Sequence, residues 1–267
     1  MTDFEQLEAA LWKQFTSPEA NGLDMILPIT ELSKESSTLV LGYGAAQKSA
    51  RDAMIPYFHV CGENSGKDPL RTLIIGGWHG TERLSVYSAA SMLGAIQNRL
   101  RIVAGMEVTA YPAVNVEATR AGEFLTPDQQ AGGVGLWKDS QFPHVQVLER
   151  ELMRYPYHLI LVLRENSARS GFQVTLWPSG NGAESVLGDS LRRLQTHAGD
   201  DLLEWSVNPP ASQVARNLTP MPGDCQPTEV VVEIPTTGDA KLAKEQTLGL
   251  VLTLLHAARQ GRMEGLL

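Results

Sequence analysis

Along the 267 residues the spacing of hydrophobic positions changes several times, and each change predicts a new element. Phe4, Leu7, Leu11 and Phe15 recur at helical spacing, which predicts an amphipathic helix over residues 3–15 packed on the main body. SSTLVLGYG (36–44) and MIPYFHVCG (54–62) read as strands closed by glycine-bearing turns. The polar turn ENSGKDP (63–69) leads into LRTLIIGG, a continuous apolar run of the kind a central strand shows. The period then lengthens: Leu84, Tyr87, Met92 and Ile96 predict a helix from Glu82 to Leu100.

GMEVTAYPAVN (105–115) reads as a strand running into a loop, QQAGGVGLWKDSQFP (129–143) as a surface loop, and VQVLERELMRY (145–155) as a helix. HLILVLREN (158–166) and SGFQVTLW (170–177) predict strands, and ESVLGDSLRRLQTH (184–197) a helix. TEVVVEIPTTG (228–238) is a strongly β-branched strand before a long terminal helix over 240–261. Strands alternating with helices of these lengths predict a three-layer α/β/α sandwich with a parallel or mixed sheet. With no internal repeat and no linker, residues 1–267 read as a single domain.

Composition narrows the partners. A net charge of −8 argues against a nucleic-acid backbone or an anionic membrane, which need clustered Lys and Arg. No apolar run approaches the roughly 18 residues of a membrane span, and the acidic N-terminus lacks a basic segment followed by an apolar one. A cytoplasmic protein acting on a small-molecule or peptide substrate is therefore expected. Two cysteines, Cys61 and Cys225, are too few for a disulfide framework and read as unpaired thiols.

Chemistry concentrates where predicted strands end, as in open α/β sheets generally. GGWHGTER (76–83) presents His79 from a loop and Glu82 from a first helical turn, so both can turn toward a divalent cation such as zinc. An acid there also suits a helix macrodipole with no metal present. Asn115 and Arg120 follow the next strand, and Arg164 and Glu165 end a third. Glu233 lies inside VVVEIP, where a carboxylate is costly unless paired, ligated or functional. Alternation puts Val231, Glu233 and Pro235 on one face, opposite Val232 and Ile234. Glu233 then reads either as a general base facing a pocket or as an edge-strand acid in solvent.

GGWHGTER resembles the His-x-x-Glu zinc motif of the zinc carboxypeptidases and of the related succinylglutamate desuccinylase and aspartoacylase group. AYPAVNVEATRAGEF, GGVGLWKDSQF, LVLREN with GFQVTLW, and VVVEIPTTG are similar, in order, to that family's later segments. The resemblance implies an α/β/α fold around a mixed sheet of eight strands, one zinc ion, and hydrolysis of an amide bond in a small peptide or acylated amino acid. It assigns His79 and Glu82 as zinc ligands, Glu233 as the base for a zinc-bound water, Arg120 as a group holding the substrate or polarising the scissile carbonyl, and Lys138 to the place of a carboxylate-binding arginine; Asn115 and Arg164 are expected to contact the substrate as well.

Two departures stand out. Trp137 and Lys138 replace an Asn-Arg pair, and a lysine cannot reproduce the planar fork that grips a carboxylate. Arg164 stands where the third ligand, a histidine, belongs, and a guanidinium cannot coordinate a metal. Three outcomes are open: Glu165 enters through a one-residue slip or bulge, completing a set with His79 and Glu82; His144, read as a loop residue, supplies the donor; or Arg164 neutralises Glu82 and Glu233 in a metal-free pocket. His158 opens the same strand, too early to reach. His59, His197 and His256 read as structural or exposed.

Overall fold

A computed structural model describes residues 3–45, 54–122, 142–199, 201–207 and 227–267. The predicted alternation of strands and helices is present. The helices are α1 (Asp3–Thr16), α2 (Leu27–Glu35), α3 (Arg83–Asn98), α4 (Val116–Ala121), α5 (Pro143–Arg154), α6 (Asn181–Ala198) and α7 (Ala240–Met263). The strands are β1 (Leu39–Ala45), β2 (Met54–Cys61), β3 (Leu70–Ile75), β4 (Met106–Tyr111), β5 (Leu159–Asn166), β6 (Phe172–Trp177), β7 (Leu203–Val207) and β8 (Thr228–Pro235). Three of these were not read from the pattern: α2, the six-residue α4 where only a loop was expected, and β7.

The eight strands form one mixed sheet in the order β1-β2-β4-β3-β5-β8-β6-β7. Its centre, β4-β3-β5-β8, is parallel. β1 and β2 add antiparallel strands on one side, and β6 runs antiparallel to β8 on the other with β7 parallel to it. β8 is thus an interior strand, which removes the edge-strand reading of Glu233.

Strand alternation divides the apolar side chains into two layers. Leu159, Leu161 and Leu163 of β5 join the core beneath α3 and α7, whereas Ile160 and Val162 join a second core with Leu148 of α5. Burying each such side chain contributes about 1.5–3 kcal/mol, so a parallel strand loaded on both faces is held between helices and the sandwich has three layers. α1 closes against α3 at Gly94, where a Cβ would sit 2.2 Å from Leu7 Cδ2, so any larger residue would require the Leu7 side chain to move. Cys61 is a free, exposed thiol, and Cys225 lies outside the described residues. Among the described residues no helix is long and apolar enough to cross a membrane.

Candidate functional site

The loops that follow β3 and β4 are joined before any side chain is considered. Val114 N donates to Gly76 O at 3.0 Å and Asn115 N to Gly77 O at 3.2 Å, extending the strand pairing past both ends. Gly77 sits at φ +60°, and a Cβ there would meet Ala113 Cα at 2.9 Å and Val86 Cγ2 at 2.8 Å. The motif's second glycine is therefore a steric requirement of this crossing. Asn115 completes the joint: its Nδ2 donates to Trp78 O at 3.1 Å and its Oδ1 accepts from Ala118 N at 3.3 Å, capping α4. At 3% exposure Asn115 ties two loops together.

Glu82 is 4% exposed and both its carboxylate oxygens are engaged. Oε2 accepts from His79 N at 3.0 Å, while Oε1 accepts from Arg164 Nε at 2.6 Å. Arg164 stands in register with Glu233 across β5 and β8, on the face those strands share with Asn166. Asn166 Nδ2 donates to Glu233 Oε2 at 2.6 Å. His79, Glu82, Arg164, Asn166 and Glu233 thus form one polar group at the carboxyl ends of the central strands. Asn166 is the member that sequence reasoning passed over. Its signal was period two: it shares a face with Arg164.

Glu165 points the other way. Its Oε1 accepts from Leu84 N and from Ser85 N, the latter at 3.1 Å, so it caps α3 from a different strand. Burial pushes its carboxyl up to about 7; the two backbone donors oppose that rise and the charge of Glu82 adds to it. The one-residue slip that would have turned Glu165 toward Glu82 is absent, because the β5–β8 register runs unbroken from Leu159↔Thr228 to Asn166↔Pro235.

His144 corrects another expectation. Placed in a loop by the sequence reading, it lies in the first turn of α5 at 5% exposure, with its ring edge-on to Trp78 at 5.6 Å. Burial, and after it the charge of His79, lower its pKa to about 4. His79 is lowered too, chiefly by burial and also by Arg164, against the opposing pull of Glu82. Arg120 is exposed on α4, and Lys138 with Trp137 lies outside the described residues. His158 Nδ1 accepts from Arg71 N at 3.1 Å and is structural.

The class this arrangement defines is a carboxypeptidase-like α/β/α protein: the chain has the metallo-carboxypeptidase fold. Among solved structures it is similar to a metallo-carboxypeptidase from Burkholderia cenocepacia (TM-score 0.62, 10% identity, 85% of this chain and 65% of that one). It is similar also to a metallo-carboxypeptidase from Pseudomonas aeruginosa in complex with (2-guanidinoethylmercapto)succinic acid (TM-score 0.61, 16% identity, 85% and 66%). A third is bovine thrombin-activatable fibrinolysis inhibitor in complex with tick carboxypeptidase inhibitor (TM-score 0.63, 11% identity, 91% and 96%). The chain spans about two thirds of the length of the two bacterial structures. No family model matches the sequence, and no curated protein matches it significantly.

The fold family implies zinc, and the donor set is what decides whether this chain suits it. A catalytic zinc site takes three protein donors and a water. His79 and Glu82 are two such donors, but the third position is a permanent cation already bonded to Glu82. A divalent ion on the same carboxylate would face that charge at close range. Among the described residues no group of three His, Cys, Asp or Glu is arranged to hold a metal. The described residues of this group do not fit a zinc ion.

Proposed function

We propose that this chain is a ligand-binding protein on the carboxypeptidase fold, taking a carboxylate-bearing small molecule or peptide in a pocket that uses Arg164 where the enzymes use a metal. The observation that carries this reading is the Arg164–Glu82 pair. The guanidinium lies beside Glu82, its hydrogen bond there uses Nε, and Arg164 is in register with Glu233 on the neighbouring strand. Its Nη edge is left for an incoming carboxylate, the geometry in which arginine binds such groups through two parallel hydrogen bonds. Arg164 is 24% exposed, enough to meet solvent and a ligand. Glu233, which accepts from Asn166, is the acceptor for an N–H of the same ligand in this reading, so an amide or amine next to the carboxylate matches the charge order.

The competing reading is a zinc-dependent amide hydrolase with Glu233 as base and Arg120 at the scissile carbonyl. It is favoured by the order of His79, Glu82 and Glu233 along the fold, and it requires Arg164 to leave Glu82. Elemental analysis of protein purified without chelators separates the two. Metal-free protein whose calorimetric binding of an N-acylated amino acid is lost in Arg164→Met supports the binding reading. Near-stoichiometric zinc that disappears in His79→Ala, with amide hydrolysis abolished in Glu233→Gln, would overturn it.

A further inference from the structure

At the other end of the sheet lies a cavity of about 330 Å³ that the site above does not use. Arg71 and Glu107, on its wall, stand at the start of β3 and β4, whereas His79, Asn115 and Arg164 lie at or beyond the opposite ends of their strands. Also on the wall are Tyr57 and His59 from β2, Glu151 from α5, and Tyr155 and Tyr157 from the segment before β5, with Val40 and Thr109 completing it. The volume falls within the range of small-ligand pockets, roughly 300–1,000 Å³.

The charges are unevenly balanced. Arg71 Nε pairs with Glu107 Oε2 at 3.1 Å, so those two offset each other. Glu151 accepts from Tyr157 Oη at 2.5 Å and is bonded by the Tyr111 hydroxyl as well, and among the described residues no Lys or Arg forms an ion pair with it. Of its neighbours, Arg150 Nη1 donates to Ala45 O at 2.6 Å, and Arg154 stacks on this wall, its guanidinium 5.0 Å from the Tyr155 ring centre, without an ion pair to Glu151. That stacking already sets one cation, Arg154 itself, against a face of Tyr155. Tyr155 and Tyr157 stand edge to face, with planes at 71° and centres 6.4 Å apart, so their faces point in different directions. Rings at steep angles beside a carboxylate are the geometry that holds an organic ammonium ion, through ring quadrupoles and a counter-charge together.

We propose that this cavity binds a small organic ammonium ion, with Tyr57, Tyr155 and Tyr157 as the aromatic walls and Glu151 as the counter-ion. The inference rests on residues apart from the Arg164 group and stands or falls independently of the function proposed above.

Calorimetric titration of the full chain tests it, with choline as the probe and 3,3-dimethylbutan-1-ol, its uncharged isostere, as the control. Saturable choline binding at least about tenfold tighter than binding of the alcohol is expected. Tyr155→Leu, at a rim position 36% exposed where the fold tolerates change, is expected to weaken choline about fivefold. Glu151→Gln is expected to weaken it further while leaving the alcohol unchanged. Absence of saturable heat at millimolar choline, equal binding of the two probes, or undiminished choline binding in a folded Tyr155→Leu protein would each overturn the proposal.

Discussion

Replacing Arg164 with methionine keeps the length and apolar stem of the side chain and removes the cation from a nearly buried carboxylate. Breaking a fully buried pair from one side costs about 3–5 kcal/mol, and an exposed pair is worth about 0–1 kcal/mol. Glu82 belongs to the first class at 4% exposure, and Arg164, 24% exposed, lies between the two. An intermediate loss of about 2–3 kcal/mol is therefore expected for Arg164→Met. Glu82→Gln in that background is expected to recover much of the loss, because glutamine brings no uncompensated charge. Urea denaturation of the wild type, both single variants and the double variant closes a cycle whose coupling energy isolates the pair. Partners at 2.6 Å that share no other partner should couple by at least about 1 kcal/mol. A cycle that closes to within about 0.3 kcal/mol, or an Arg164→Met protein as stable as wild type, would refute the claim that this guanidinium neutralises Glu82.

A buried histidine and a partly buried glutamate give the stability curve opposing slopes. His144, held near 4 in the folded protein against an ordinary 6.5, binds its proton more readily when unfolded, so stability falls as pH drops from 6.5 to 4, by about 3 kcal/mol at 1.36 kcal/mol per pH unit. Glu165, raised from 4.5 to about 7, works in reverse, with stability falling as pH rises through that window. Chemical denaturation across pH 4–8 should accordingly show a shallower acid loss in His144→Gln and a flatter decline toward pH 7 in Glu165→Gln; unchanged profiles would dismiss these assignments. Gly77→Ala forces a side chain into positive φ against Ala113 Cα and should lower stability by about 1–3 kcal/mol in thermal melts. Glu8→Gln strands the Lys244 ammonium, 6% exposed and 2.5 Å from Glu8 Oε2, between α1 and α7; a loss near 3 kcal/mol is expected, largely recovered by adding Lys244→Met.

What could be read from the chain follows from the range of the forces involved. β3, β5 and β8 are buried on both faces, so their apolar runs are continuous and their boundaries fell within two or three residues of expectation. β7, LEWSV, is a five-residue edge strand exposed along much of its length, and it leaves too short an alternation to recognise. His144 was assigned to a loop because the helical period begins at Val145; Pro143 in the first turn of α5 was the overlooked start signal. The place of Asn115 after β4 is visible in sequence, whereas the Trp78 carbonyl that holds its side chain comes from 37 residues away. The tyrosine-lined cavity draws on β2, α5 and the segment before β5, and no spacing along the chain joins them.

The β5–β8 register decides which side chains of Arg164, Glu165 and Asn166 share a face with Glu233. Period two alone made Glu165 an awkward partner for Glu82 but allowed a bulge to rescue it. Eight consecutive residue pairs between β5 and β8 leave no position for that bulge, so Arg164 and Asn166 must share the face of Glu233 while Glu165 goes to α3. There Glu165 supplies the cap that Glu82, turned back toward the His79 amide, does not. The two acids have thus divided two tasks: one closes the helix, and the other receives a fixed cation. A change at Arg164 alone would free only one of Glu82's oxygens, because the other still holds the loop amide. Arg164→His is accordingly expected to gain zinc in elemental analysis at less than one ion per chain at micromolar metal; stoichiometric, tightly held zinc in that variant would mean that His79 N releases Glu82 freely.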